Sequence, residues 1–201
     1  MATIAESFNG ANAASLAAAT IDQPWADPVA GYAVSSNAAA LSSTGAVAYS
    51  RVEVDLGSAD MWAEGTLTTK TDAGGDFSQA AILARVSSSS TNSYMVCRGL
   101  NTADDLAIRL TNGGRSNLTV VTVALNLPEV IRIEVQGTQI RAYINGVLKA
   151  TATDATLTTG QRPGIYGFRP SGGAVVLDDL RAGSLPGPFV PSLPSQYGGF
   201  H

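Results

Sequence analysis

Along most of this chain hydrophobic and polar side chains alternate one for one. In VAYSRVEVDL (47–56), Val52, Val54 and Leu56 alternate with Arg51, Glu53 and Asp55. MWAEGTLTTK (61–70) repeats the theme, and QAAILARVS (79–87), SYMVCRGL (93–100), LAIRLTN (106–112) and LTVVTVALN (118–126) follow it. A period of two sends one set of side chains to a core and the other to water, the signature of a β-strand. Between these runs lie DAGGD, SSSSTN, NTADD and GGRSN, built from the residues that turns require. In VIRIEVQ (130–136), Ile131, Ile133 and Val135 are expected inside, with Arg132, Glu134 and Gln136 outside. IRAYI (140–144) and VLKATAT (147–153) flank Asn145-Gly146. A type I′ hairpin needs positive φ at both central positions, and Asn-Gly supplies it. GIYGFRP (164–170) and GGAVVLDDLRAG (172–183) complete the series.

About ten to twelve short strands, spaced about 8–12 residues apart, predict an all-β sandwich or barrel. No long crossover is present, so the sheets are expected to be antiparallel. The first fifty residues are rich in Ala, Ser and Asn. The Ala-rich stretch 11–19 suits a short helix, although its Asn and Ser work against one. QPWADP (23–28) reads as a turn, with Trp25 as an anchor against a sheet. SLPGPFVPSLPSQYGGFH (184–201) holds four prolines and no strand pattern. The expected organisation is therefore a sandwich over 1–183 and a Pro-rich arm over 184–201. The arm is either a solvated tail or an extended segment that docks on a neighbouring subunit through Phe189, Tyr197 and Phe200.

Charged residues make up 14 % of the chain and hydrophobic ones 45 %. That balance excludes disorder, which pairs high charge with few apolar residues. The net charge is −4, and the twelve basic residues are scattered. This argues against a duplex nucleic-acid binder, which clusters Lys and Arg against phosphates. Cys97 is the single cysteine, so no intrachain disulfide forms, and its apolar setting marks it as a small buried hydrophobe. No apolar run approaches the length of a membrane span, and the N-terminal segment does not read as a signal peptide. Synthesis and folding in a reducing cytoplasm are expected.

The run from LPEVIRIEVQ through YINGVLKA to GIYGFRP and VVLDDLRAG resembles the C-terminal half of the concanavalin A-like (laminin G-like) jelly-roll superfamily, of the kind found in bacteriophage structural proteins. ESFNG (6–10) resembles that superfamily's first strand, which lies beside the last. The resemblance spans about residues 45–183 and implies an antiparallel two-sheet jelly-roll sandwich. This sandwich hosts lectins, glycanases, adhesion modules and phage structural proteins, so it does not choose among functions.

Glycanases of this kind need two carboxylates at the scissile bond. One large class carries them on a strand as Glu-x-Asp-x-x-Glu. Here Glu53 and Asp55 fill the first two places, but the third falls on Ser58, or on Gly57 or Ala59 in neighbouring registers. Glu53 and Asp55 therefore read as a wet strand face. His201 is the only histidine, so a Ser or Cys nucleophile has no positioned base and a histidine metal site cannot form. The expectation is that the chain is not an enzyme and has no cofactor. Where members of the superfamily that this chain resembles hold a structural calcium near the first and last strands, Asp178 or Asp179, Glu6 and local carbonyls would supply part of the ligands here, and the reading favoured over it is a plain charged strand edge. For glycan contact the candidates are Trp62, Tyr94, Tyr143, Tyr166 and Arg169. Packing in the core or on a sheet is the alternative for each, and Trp62 is the foremost core candidate.

Three functions fit. The main expectation is a non-catalytic virion protein, either a capsid decoration or a minor tail component, that is homo-oligomeric and bound to neighbouring subunits. The alternatives are a carbohydrate-binding module, perhaps on that same particle, and a degenerate glycoside hydrolase.

Overall fold

The computed structural model describes residues 3–186, except 11, 12, 14, 18–21, 30, 43, 44 and 46. Its strands are β1 (Thr3–Glu6), β2 (Trp25–Val29), β3 (Tyr32–Ser35), β4 (Ala38–Leu41) and β5 (Val47–Val52). Then come β6 (Met61–Thr71), β7 (Gln79–Val86), β8 (Ser93–Arg98), β9 (Asp105–Thr111) and β10 (Arg115–Thr122). The last five are β11 (Glu129–Gln136), β12 (Gln139–Ile144), β13 (Val147–Thr153), β14 (Arg162–Phe168) and β15 (Ala174–Ser184). They form two antiparallel sheets and no helix appears among the described residues. The first sheet runs β13-β12-β11-β6-β15-β4-β3, with β1 also paired to β15. The second runs β10-β9-β8-β7-β14-β5-β2. This is the two-sheet jelly-roll sandwich expected from the alternation.

The alternating runs sort as their parity requires. Ile131, Ile133 and Val135 are fully buried and meet Met61, Ala63 and Leu67 of the same sheet in the core. Ile82, Val96, Ile108 and Ile165 close on them from the second sheet. Asn145 and Gly146 have φ of 49° and 75°, as the β12–β13 turn demands. β1 begins at Thr3 rather than Glu6, and it does lie beside the last strand, with Glu6 opposite Leu180.

Strands β2, β3 and β4 carry no alternating pattern in the sequence. Ala38–Leu41 is AAAL, which carries little β propensity, yet Ser36 and Asn37 both take positive φ and fold it back on β3. Pro28 sits in β2, an edge strand, where a missing N–H costs nothing in the ladder. Within 11–19, Ala13 bridges to Val34 and residues 15–17 form a bend and turn, so these described members are not helical. Trp25 is the expected anchor. It is buried against Phe8, and its Nε1 donates to Glu6 at 3.2 Å.

One buried ion pair ties the sheets together at one end. Arg98 of β8 and Glu129 of β11 are both buried, and Nε and Nη2 of Arg98 donate to the two carboxylate oxygens at 2.5 and 3.1 Å. The remaining N–H groups of Arg98 reach the carbonyls of Asp104, Val123 and Ala124. Every donor therefore has an acceptor, which is what makes a buried charge tolerable. Arg98→Met strands the Glu129 carboxylate and should cost about 3–5 kcal/mol in urea unfolding. Adding Glu129→Leu should recover only part, because the Val123 carbonyl loses its donor, while those of Asp104 and Ala124 keep Val123 N–H and Asn126 Nδ2. Full recovery would show that the Val123 carbonyl contact carries no weight.

Candidate functional site

The second sheet has an unusual outer face. In register across β9, β8, β7, β14 and β5 stand Ala107, Cys97, Ala81, Tyr166 and Tyr49. Three small side chains leave room, and the two tyrosines fill it. Their rings meet edge to face at 4.9 Å, and all five residues are buried. Leu83, Met95 and Val86 complete this second, smaller apolar cluster. The Tyr49 hydroxyl and Thr111 Oγ1 are 2.9 Å apart. Tyr49 is on β5 and Thr111 on β9, four strand spacings away, or about 19 Å on a flat sheet. A tyrosine does not span that gap, so the contact requires the sheet to curl toward this face.

The curl brings a set of polar groups together at the rim. The β9–β10 turn, Asn112-Gly113-Gly114, places Arg115 opposite Thr111. From there Arg115 Nη1 donates to the Tyr166 hydroxyl, and its guanidinium lies 5.5 Å from the Tyr166 ring centre. Tyr166 in turn donates to Gln79 Oε1 at 3.1 Å, which also accepts from Arg109 Nη1 at 3.4 Å. Burial pushes Tyr166 well above the ordinary tyrosine range and raises the Cys97 thiol to about 11, so Cys97 is an inert buried hydrophobe.

Beside this network a hollow of about 500 Å³ opens. Tyr49, Val29 and Val47 form its apolar floor, while Ser90, Thr91, Asn92 and Arg115 supply hydroxyl, amide and guanidinium groups. The serine-rich loop holds itself in shape: Ser87 N–H donates to Asn92 O at 3.0 Å, and Asn92 Nδ2 donates to Asn112 Oδ1 at 3.1 Å. The hollow is open to solvent, and its lining joins an apolar surface to a few polar groups.

The five sequence candidates scatter. Tyr166 belongs to the network under the hollow but is fully buried, a support and not a contact. Tyr94 points into the core, where its hydroxyl donates to Asp154 at 2.6 Å and accepts from Leu157 N–H at 3.0 Å. Trp62 corrects the expectation of a core residue. Met61, Ala63 and Leu67 take the inward positions, so alternation turns Trp62 outward. One side of it packs on Gly183, where an added Cβ would lie 2.9 Å from Nε1, and Arg132 covers the ring at 4.4 Å. Tyr143 joins it on that outer face, its hydroxyl donating to Glu134 at 2.8 Å while Arg132 bonds both Glu134 and Glu64. Both aromatics are thus committed to internal partners. Arg169 straps a loop through Ser42 O at 2.8 Å. Phe189, Tyr197 and Phe200 lie outside the described residues.

The carboxylates are equally committed. β5 ends at Val52, so Glu53 and Asp55 fall beyond the strand. Glu53 pairs with Arg51 at 2.7 Å and Arg162 at 3.6 Å, and Asp55 caps Gly57 N–H at 2.8 Å. Glu6 is buried and accepts from Phe8 N–H, Gln23 N–H and Trp25 Nε1, leaving it a poor cation ligand beside Asp178. Asp178 accepts from Asp179 N–H at 2.8 Å, and burial raises its carboxyl above the usual range. Among the described residues no group of three or more His, Cys, Asp or Glu could hold a metal ion.

Sequence reasoning missed the residues of the hollow. GGRSN reads as a turn, which hides Arg115 as the first residue of β10, and Tyr49 and Asn92 lie in runs with no motif. The available signal was TNGGR, a hairpin turn that sets Thr111 and Arg115 opposite each other.

The chain matches no sequence-family model and no curated protein. Solved structures do share its fold. They include the carbohydrate-binding module CBM66 from Bacillus subtilis, at 17 % identity and a TM-score of 0.66 over 80 % of this chain and 95 % of that one. A Bacillus licheniformis β-glucanase aligns at 12 % identity and a TM-score of 0.64, over 92 % of this chain and 99 % of that one. A Bacillus subtilis protein of unknown function with a galectin-like fold aligns at 10 % identity and 0.60, over 80 % and 89 %. At such identities the likeness establishes the fold, which serves both binding modules and glucanases.

Two outcomes check this description. Burial alone would raise the Asp154 carboxyl, but hydrogen bonds from the Tyr94 hydroxyl and Thr156 N–H outweigh it and hold the group below the usual range. Such a group contributes stability above its unfolded pKa of about 3.9, and loses it as pH falls through the lower folded value. The melting temperature of the wild type should therefore fall more steeply below about pH 4 than that of Tyr94→Phe. Ala81→Leu fills the space the tyrosines need and should destabilise by about 1–3 kcal/mol, with loss of near-UV tyrosine ellipticity.

Proposed function

We propose that this chain is a carbohydrate-binding β-sandwich that recognises a saccharide in the hollow beside Tyr49. The observation that carries the reading is the lining itself: an aromatic and aliphatic floor rimmed by Ser90, Thr91, Asn92 and Arg115. A sugar presents apolar C–H faces and a ring of hydroxyls that both donate and accept, and this lining answers both. The shared fold with CBM66, a carbohydrate-binding module by name, supports it. Binding without turnover is favoured over hydrolysis, since the described residues that line the hollow include no Asp or Glu and glycoside hydrolysis uses two carboxylates. A virion setting, expected from the sequence, would give such a module the task of holding a particle to host glycan. Mass spectrometry of purified particles tests that setting separately.

Isothermal titration with the best hit from a glycan array tests the site. Asn92→Ala removes one amide that orders the rim and should weaken binding about tenfold, the equivalent of about 1.4 kcal/mol. Trp62→Ala and Tyr143→Phe, on the opposite sheet, should leave affinity unchanged. The reverse pattern would move the site to the Trp62 face.

A further inference from the structure

Six of the twelve basic side chains, Arg51, Lys70, Arg85, Arg98, Arg132 and Arg162, pair with a carboxylate. Among the described residues the other six, Arg109, Arg115, Arg141, Lys149, Arg169 and Arg181, form no ion pair, and of these Arg109 and Arg115 sit together on the curled face of the second sheet. Both are tied to the Tyr166–Gln79 hydrogen-bond network and to no acid. Arg115 is exposed and is the single charged residue among the described residues that line the hollow. Arg109 lies behind it, 8 % exposed, and its Nε has no hydrogen-bond partner among the described residues. Burying a guanidinium without a counter-charge is costly. A chain with net charge −4 has carboxylates to spare, yet none is placed here. The positive field also reaches the neighbours: burial raises Tyr49, Tyr166 and Cys97, and both arginines offset part of each rise.

We infer that the hollow takes an acidic saccharide, one whose carboxylate or sulfate is received by the Arg115 guanidinium with the Arg109 charge behind it. This rests on the saccharide reading of the same hollow and specifies its ligand class. The guanidinium fork matches the paired oxygens of either anion, and Tyr166 already holds Arg115 by one nitrogen, so its orientation is set before the ligand arrives. Ser90, Thr91 and Asn92 are then left to receive the sugar hydroxyls.

An array decides it, printed with uronate-bearing, sialylated and sulfated oligosaccharides beside the carboxyl-reduced, desialylated and desulfated forms of the same chains. The wild-type protein should bind an acid form at least about tenfold more tightly than its neutral counterpart. Raising salt from about 0.05 to 0.5 M should weaken binding of the acid form selectively. Arg115→Gln, a change at an exposed position that should leave the melting temperature near that of the wild type, should erase the acid preference, and Arg115→Lys should keep part of it. Preference among uronate, sialate and sulfate names the source of the anion. Equal or tighter binding of the neutral forms overturns the acid assignment and leaves the saccharide reading standing. So does an acid preference that survives Arg115→Gln. Failure to bind any printed chain overturns the saccharide reading itself.

Discussion

Ala81, Cys97 and Ala107 stand side by side on β7, β8 and β9, and Tyr166 and Tyr49 continue their row on β14 and β5. Large side chains in the first three places would prop the sheet open. Small ones let two tyrosines fold across it, and the Tyr49–Thr111 contact then holds the two sides of the sheet toward each other. The curl, the sealed apolar cluster beneath the rings and the hollow at the rim all follow from this one size pattern. The sandwich core would exist without it. The site would not.

The two outer faces therefore differ in kind. On the first sheet, Trp62, Arg132, Glu134, Glu64 and Tyr143 satisfy one another: Arg132 and Glu64 are directly opposed, and the Tyr143–Glu134 and Arg132–Trp62 contacts run on the diagonals between strands. On that face Arg132 meets both Glu64 and Glu134, and Arg181 and Arg141 stand opposite the same two glutamates in register. On the second sheet, two guanidiniums share neutral acceptors and have no acid. A paired network stabilises a surface, whereas an unbalanced one is available to a ligand. Trp62 and Tyr143, which look like sugar platforms in the sequence, are on the face that carries the glutamates, and the hollow is built around residues that carry no motif.

The legibility of this chain followed the strength of each local signal. Strands 47–52 to 174–184 were readable because period-two alternation is written in residue order and register leaves little freedom once one face is apolar. Asn145-Gly146 was readable because only certain residues accept its backbone angles. Ala38–Leu41 was not, since small residues carry no strand preference and its pairing comes from β3 and β15. Size alone assigns Trp62 to the core, but parity prevails: its neighbours Met61 and Ala63 take the inward positions. Glu53 and Asp55, expected on a wet strand face, lie past the end of β5 at Val52, because alternation continues in the sequence beyond the point where strand pairing stops.

Sequence by itself determined that two antiparallel layers would enclose a core, which residues of each alternating run would face it, and where the chain would turn. These are properties of neighbours two residues apart, and local sterics decide them. Tertiary structure alone decided that Tyr49 would reach Thr111 and that Arg115 would come to rest over Tyr166. It also left two arginines together without an acid. Those pairs are separated by about fifty to sixty residues along the chain and by four strands across the sheet. Their meeting depends on strand order and curvature, quantities that no local window of sequence contains.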